Sequence, residues 1–165
     1  MAEKIDVQDA VKRSIMTEKN AMYFYTLGAE KMKDAEARKF FELLAREERE
    51  HAGQFFSVYK GGEIPDFEAF INTAPSMGED WLSDLDKTLM AGFNERKAME
   101  LAMDKELKLE KSLREMAARI EDPEVKAVFE ANAKSTHHHY ELIESEYARL
   151  MGMVHETDID TYVRE

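Results

Sequence analysis

Residues 37–58 read ARKFFELLAREEREHAGQFFSV. Taken at alternating steps of four and three, they give Ala37, Phe41, Leu44, Glu48, His51, Phe55 and Val58. Apolar residues at these steps form the buried stripe of an α-helix in a bundle. Two residues in the middle of the stripe, Glu48 and His51, are not apolar. The fold and the chemistry are both written in this segment.

Three other segments carry the same stripe. One runs Val11, Ile15, Glu18, Met22, Tyr25, Ala29, Met32. Another runs Met99, Ala102, Glu106, Leu109, Leu113, Met116, Ile120. The last runs Val125, Phe129, Asn132, Thr136, His139, Ile143, Tyr147, Leu150. The pattern predicts an all-α four-helix bundle with helices near 7–33, 35–60, 93–120 and 123–151. Asp34 suits the cap of the second helix. Asp122-Pro123-Glu124 supplies a cap, a proline at the first helical position and an acid in the first turn. Gly61-Gly62 is the expected end of the second helix. Short connections at Asp34 and Asp122 make the first two helices antiparallel neighbours, and likewise the last two.

One domain is expected over residues 1–152. Its crossover, about 61–91, runs back along the bundle to the start of the third helix. A short helix near Asp80 to Leu89 is expected within it. Residues 153–165 show no strong pattern and are expected to form a C-terminal tail.

Composition agrees with this class. Hydrophobic residues make up 44% of the 165 and charged residues 35%, too apolar a balance for a disordered chain. The formal net charge is -12, the wrong sign for binding nucleic acid. Cysteine is absent, which excludes disulfides and thiolate-held metals. The opening MAEKIDVQDAVKRS has no apolar core of a signal peptide, and no run is long enough to span a membrane. A cytoplasmic protein without a membrane partner is expected. A homodimer is also expected, because four long amphipathic helices leave apolar surface to cover.

The halves of the chain repeat at an offset of 88 residues: Glu18 maps to Glu106, Asp34 to Asp122, Phe41 to Phe129 and His51 to His139. Each half therefore has a stripe Glu and, 33 residues later, a stripe His. A lone buried carboxylate costs several kcal/mol unless it is paired or holds a metal. Glu18, Glu48, His51, Glu106 and His139 at mid-helix would gather in one layer. A divalent cation would offset their repulsion. Oxygen and imidazole donors without sulfur suit iron, manganese or zinc. Glu48 and His51, three residues apart, lie on one helix face. A plainer account is also available: Glu-x-x-His arises by chance in an acidic chain, and stripe carboxylates can pair with a residue such as Arg46 or Lys134. Of His137, His138 and His139, only the last falls in the stripe.

At two stretches the chain resembles the rubrerythrin-like and ferritin-like di-iron-carboxylate proteins. They are Glu18-Lys19-Asn20-Ala21-Met22-Tyr23-Phe24-Tyr25 and Leu44-Ala45-Arg46-Glu47-Glu48-Arg49-Glu50-His51. Weaker matches surround Glu106 and His139. The resemblance implies a ferritin-like bundle holding two irons, the second position weakened. It makes Glu18 a terminal ligand of the first iron, His51 its nitrogen ligand and Glu48 a bridge. Glu106 and His139 would serve the second. Where the family has a second bridging Glu, three residues before its last His, this chain has Thr136. A nearby acid such as Glu110 is one candidate to fill that gap.

The activity implied is oxidoreductase chemistry of the peroxidase or ferroxidase type, acting on peroxide or dioxygen with an external electron donor. Two alternatives stand beside it: iron binding or ferroxidase work without turnover, and a metal-poor helical interaction module.

Overall fold

The computed structural model describes residues 6–73 and 94–163, with side chains as far as residue 152. Among these residues there are five helices and no strand. They are α1 (Val7–Lys31), α2 (Ala35–Ser57), α3 (Phe67–Ile71), α4 (Glu95–Arg119) and α5 (Pro123–Val163). The four long ones form the expected bundle. α1 packs on α2, α4 on α5, and α2 meets α5.

Each long helix starts on a side chain that satisfies its exposed amides. Asp6 accepts from the amide of Asp9 at 3.0 Å, Asp34 from that of Ala37 at 2.9 Å, and Asn94 from that of Lys97 at 3.1 Å. Asp122 accepts from Glu124 at 2.9 Å, ahead of Pro123 at the first helical position of α5. Such caps contribute about 1 kcal/mol each. The α1 end is held by Arg38, which donates to the carbonyls of Ala29 and Met32, both at 3.2 Å.

The ends of α2 and α5 differ most from expectation. α2 stops at Ser57, ahead of Gly61-Gly62. The cause lies in α1. The Gln8 amide donates to the Val58 carbonyl at 3.3 Å and accepts from the Lys60 amide at 2.6 Å, replacing the partners of another helical turn. Within the crossover, Asp66 caps the single turn of α3 through the Ala69 amide. The helix expected near 80–89 lies outside the described residues. α5 continues to Val163, well past residue 151 and into the segment read as a tail. No proline follows Pro123 in α5, and one interior glycine, Gly152, costs only about 1 kcal/mol.

Phe24, Tyr25 and Phe41 are wholly buried. Tyr25 and Phe41 meet edge to face at 5.0 Å, and Phe24 meets Tyr25 the same way at 5.2 Å. Phe55 of α2 packs on Phe129 of α5 at 4.9 Å. Gly28 lets α1 approach α2 closely: a Cβ there would lie 2.9 Å from the Phe41 ring. These contacts fix the rotation of α1, α2 and α5, and with it the direction of their polar stripe residues.

Candidate metal centre

The structure brings Glu18, Glu48, His51, Glu106 and His139 into one layer. All five are buried, and Glu18, Glu106 and His139 have no exposure at all. His51 Nδ1 lies 3.7 Å from Glu18 Oε2 and 3.3 Å from Glu48 Oε1. His139 Nδ1 lies 3.0 Å from the same Glu48 oxygen and 3.7 Å from Glu106 Oε1. One carboxylate from α1, one from α4, Glu-x-x-His from α2 and His from α5 thus meet at mid-bundle.

The polar atoms crowd together without satisfying one another. Both oxygens of Glu18 and of Glu48, Oε2 of Glu106 and Nδ1 of each histidine are buried with no hydrogen-bond partner. Buried polar groups are ordinarily satisfied, and each exception calls for a cause. Separations near 3 Å without hydrogen-bond alignment are what lone pairs aimed at a shared point produce. Ligand atoms of Glu48, His51 and His139 all lie within 4.8 Å of one another, close enough to hold one cation. The residues fit a metal ion.

The outer ring nitrogens are occupied. His139 Nε2 lies 2.7 Å from Glu47 Oε1, and His51 Nε2 lies 2.9 Å from Ser135 Oγ. With Nε2 serving these outer partners, Nδ1 faces inward, where a metal could replace its proton. Metal-binding histidines are oriented in this way by an outer carboxylate or hydroxyl. Tyr25 of α1 donates to Glu106 Oε1 of α4 at 2.6 Å and holds that carboxylate in place.

Electrostatics show the strain of the arrangement. Burial, then the charge of Glu48, pushes the Glu18 carboxyl well above its usual range. The same two causes raise Glu106. Burial also pushes Glu48 up, but the flanking His139 and His51 outweigh it and hold Glu48 below the carboxylate range. Burial lowers the two histidines. The close carboxylates Glu18 and Glu48 overcome this and bring His51 to about 10. Glu106 and Glu48 bring His139 to about 11. Protons on the imidazoles do here what a cation does: they neutralise carboxylates that cannot reach water.

Two expectations fail at this level. Glu110 does not complete the cluster. It turns outward, pairing with His137 Nδ1 and Arg114 Nε, both at 2.8 Å. Four residues along α4 from Glu106, it lies a full turn farther on. The plainer ion-pair account fails too. Arg46 and Lys134 are exposed, and the oxygens of Glu18 and Glu48 have no hydrogen-bonding partner. Thr136 is fully buried at the expected position, with its hydroxyl unsatisfied. So is Asn132 Oδ1 in the same stripe. Glu47 and Ser135 were not anticipated. The only signal in the sequence is that each adjoins a stripe residue, Glu48 or Thr136.

A family model described as Rubrerythrin matches residues 9–147. No curated protein and no solved structure matches the chain.

Proposed function

The chain belongs to the rubrerythrin family, and from that we propose that it is a non-haem iron oxidoreductase acting on peroxide or dioxygen. The observation that carries this reading is the set of buried, unsatisfied donor atoms on Glu18, Glu48, Glu106, His51 and His139. No ordinary core would retain three carboxylates in that state. Iron suits carboxylate and imidazole donors, and manganese and zinc compete for them.

The side chains have separable tasks. Glu48, central between both histidines, would hold iron together with them. Glu18 and Glu106 approach from α1 and α4 and supply the balancing charge. Glu47 and Ser135 fix the imidazole rings through Nε2. Tyr25 steers Glu106 and presents a phenolic proton at its oxygen, 2.6 Å away. Burial raises that phenol well above its usual range, so it stays protonated at neutral pH. Phe24, Phe41, Phe55 and Phe129 keep bulk water from the layer. Bound iron would supply the electron-transfer chemistry that no side chain here can perform.

These 165 residues contain no cysteine, so they hold no thiolate-bound second centre. In this reading the reducing electrons come from a redox centre outside these residues, an external donor. Thr136, a neutral side chain at the family's carboxylate position, favours a second reading in which iron is bound without turnover.

The test is anaerobic reconstitution with ferrous iron, followed by peroxide consumption under a supplied reductant. Turnover well above that of the metal-free chain is expected. Iron retained without turnover would select the second reading. No retained iron would overturn both.

A further inference from the structure

The 88-residue repeat sets three positions of α5 against three of α2. Asn132, Ser135 and Thr136 are the counterparts of Leu44, Glu47 and Glu48. Two carboxylates give way to two hydroxyls, and an apolar core residue gives way to an amide. Ser135 has a partner in the His51 ring. Asn132 and Thr136 are wholly buried, and Asn132 Oδ1 and Thr136 Oγ1 have no hydrogen-bond partner among the described residues. An amide at the counterpart of Leu44 is costly to bury unless something satisfies it.

Both oxygens are kept available. Asn132 Nδ2 donates to the Val128 carbonyl at 2.8 Å, which fixes the amide and leaves Oδ1 as an acceptor. A helical threonine commonly turns its hydroxyl back to the carbonyl four residues earlier. Thr17 and Thr26 do so, at 2.9 and 2.8 Å. Thr136 does not. Residues three and four apart share a helix face, so Asn132, Thr136 and His139 face the same strip of core. His139 Nδ1 lies 3.0 Å from Glu48 Oε1, which places one end of that strip at the acidic layer. Phe129, packed on Phe55, lies beyond the other end.

The chemistry of the pair selects its occupant. Oδ1 only accepts, so the occupant must donate to it, which excludes an anion. The Thr136 hydroxyl both donates and accepts. Neither group carries the charge that draws a metal ion to the neighbouring carboxylates. Threonine is two heavy atoms shorter than glutamate, a difference on the scale of one water, about 30 Å³. A water would donate to Asn132 Oδ1 and accept from Thr136. Its second O–H would remain for the layer, where both Glu48 oxygens are unsatisfied. Buried waters make about three such bonds.

We propose that Asn132 and Thr136 form a binding site for one long-lived internal water at the edge of the acidic layer. The site puts an exchangeable proton where the α2 counterpart, Glu48, has a carboxylate. It belongs to the metal-free chain and stands whether or not the layer takes up iron.

Oxygen-17 magnetic relaxation dispersion on the metal-free full chain counts long-lived internal waters. A parent chain with none would overturn the proposal without any variant. Thr136→Val keeps the shape and removes the hydroxyl, and Asn132→Leu installs the counterpart residue. Each should lower the count by one. The double variant should also lower it by one, because both substitutions remove the same water, and Thr136→Ser should retain it. Circular dichroism checks that the variants compared are folded. An unchanged count in both single variants, or a loss of two waters in the double variant, would overturn the site. Thermal melting gives an independent reading. Thr136→Val should lower the melting temperature, because the water loses a partner. Removing a hydroxyl that bonds to nothing in a dry core would raise it, and that result would overturn the proposal as well.

Discussion

The rings of His51 and His139 lie nearly parallel, 5.1 Å apart at 18°. They sit 88 residues apart in sequence, in equivalent places of two repeated halves. Two imidazolium rings in that position would repel each other. They are held there because Glu48 Oε1 stands close to both, and because Glu47 and Ser135 tie their outer nitrogens. The pair is stable only while something positive, protons or a metal, occupies its inner face.

That balance sets the pH response of the metal-free protein. His51 and His139 hold protons to about pH 10 and 11 when folded, against 6.5 for an ordinary imidazole. Their contribution to stability is complete below about pH 6.5 and fades as the pH rises through the folded values. Glu18 and Glu106, also shifted upward, favour the folded state at lower pH in the same sense. Glu48 is shifted downward, so its contribution is present above its ordinary value of 4.5 and is lost only in acid. The chelated protein should therefore melt at a lower temperature at about pH 9 than at about pH 6.5. A metal displaces the same protons, so the stabilisation it adds should grow with pH. Calorimetry of apo and loaded samples at both values checks this, and an apo melting temperature that rises with pH would contradict it.

Glu47 is about a third exposed, yet its carboxylate lies 2.7 Å from His139 Nε2. Glu47→Ala should leave the fold intact, because the side chain lies at the edge of the layer and is no part of the apolar core. It should weaken metal binding by about 10–100-fold, the usual cost of losing an outer partner to a ligating histidine. Competition against a chelator of known affinity measures this. Unchanged affinity would mean that the ring is oriented by packing alone.

Tyr25→Phe keeps the aromatic contacts with Phe24 and Phe41 and removes only the hydroxyl that donates to Glu106. Glu106 Oε1 then loses its donor inside the core. The metal-free chain should lose about 1–3 kcal/mol, the penalty of an unsatisfied buried acceptor. Denaturant unfolding of apo samples reads this directly. A loss much below that range would mean that Glu106 finds another donor.

Much of the architecture was legible because it is local. Alternating steps of three and four, sustained over six or more positions, fix a helix and its buried face together. Glu18, Glu48, His51, Glu106 and His139 stood out because polar residues interrupt an apolar stripe in register with the repeat. What escaped is tertiary. Gln8 ends α2 from another helix, and no pattern within residues 35–60 records that. Glu47 and Ser135 lie off the stripe, and their role depends on how far α2 and α5 are rotated. Glu110 fits the stripe's neighbourhood by spacing, but His137 and Arg114 draw it outward.

Gly28→Ala sets two effects against each other. Alanine is the better helix former by about 1 kcal/mol. Its Cβ would meet Phe41 at 2.9 Å, and that ring is wedged between Tyr25 and Phe24. Overpacking of this kind costs about 1–3 kcal/mol. The clash should prevail, giving net destabilisation and a lower melting temperature. A stabilised variant would show that α1 and α2 can separate without cost.

Thr136→Glu restores the carboxylate that the family pattern carries. In the metal-free chain it buries a fourth acid beside Glu18, Glu48 and Glu106, with only two histidines to neutralise them. The apo form should be destabilised by several kcal/mol, lowering its melting temperature at about 2–4 °C per kcal/mol for a chain of this size. In the loaded chain the sign reverses. Four carboxylates would balance two ferrous ions. Iron content per chain should rise above that of the unaltered protein. The two effects must appear together, because the same added charge causes both. Destabilisation without a gain in iron would mean that position 136 faces the acidic layer but cannot reach a second ion. A gain in neither would mean that α5 turns this side chain away from the layer.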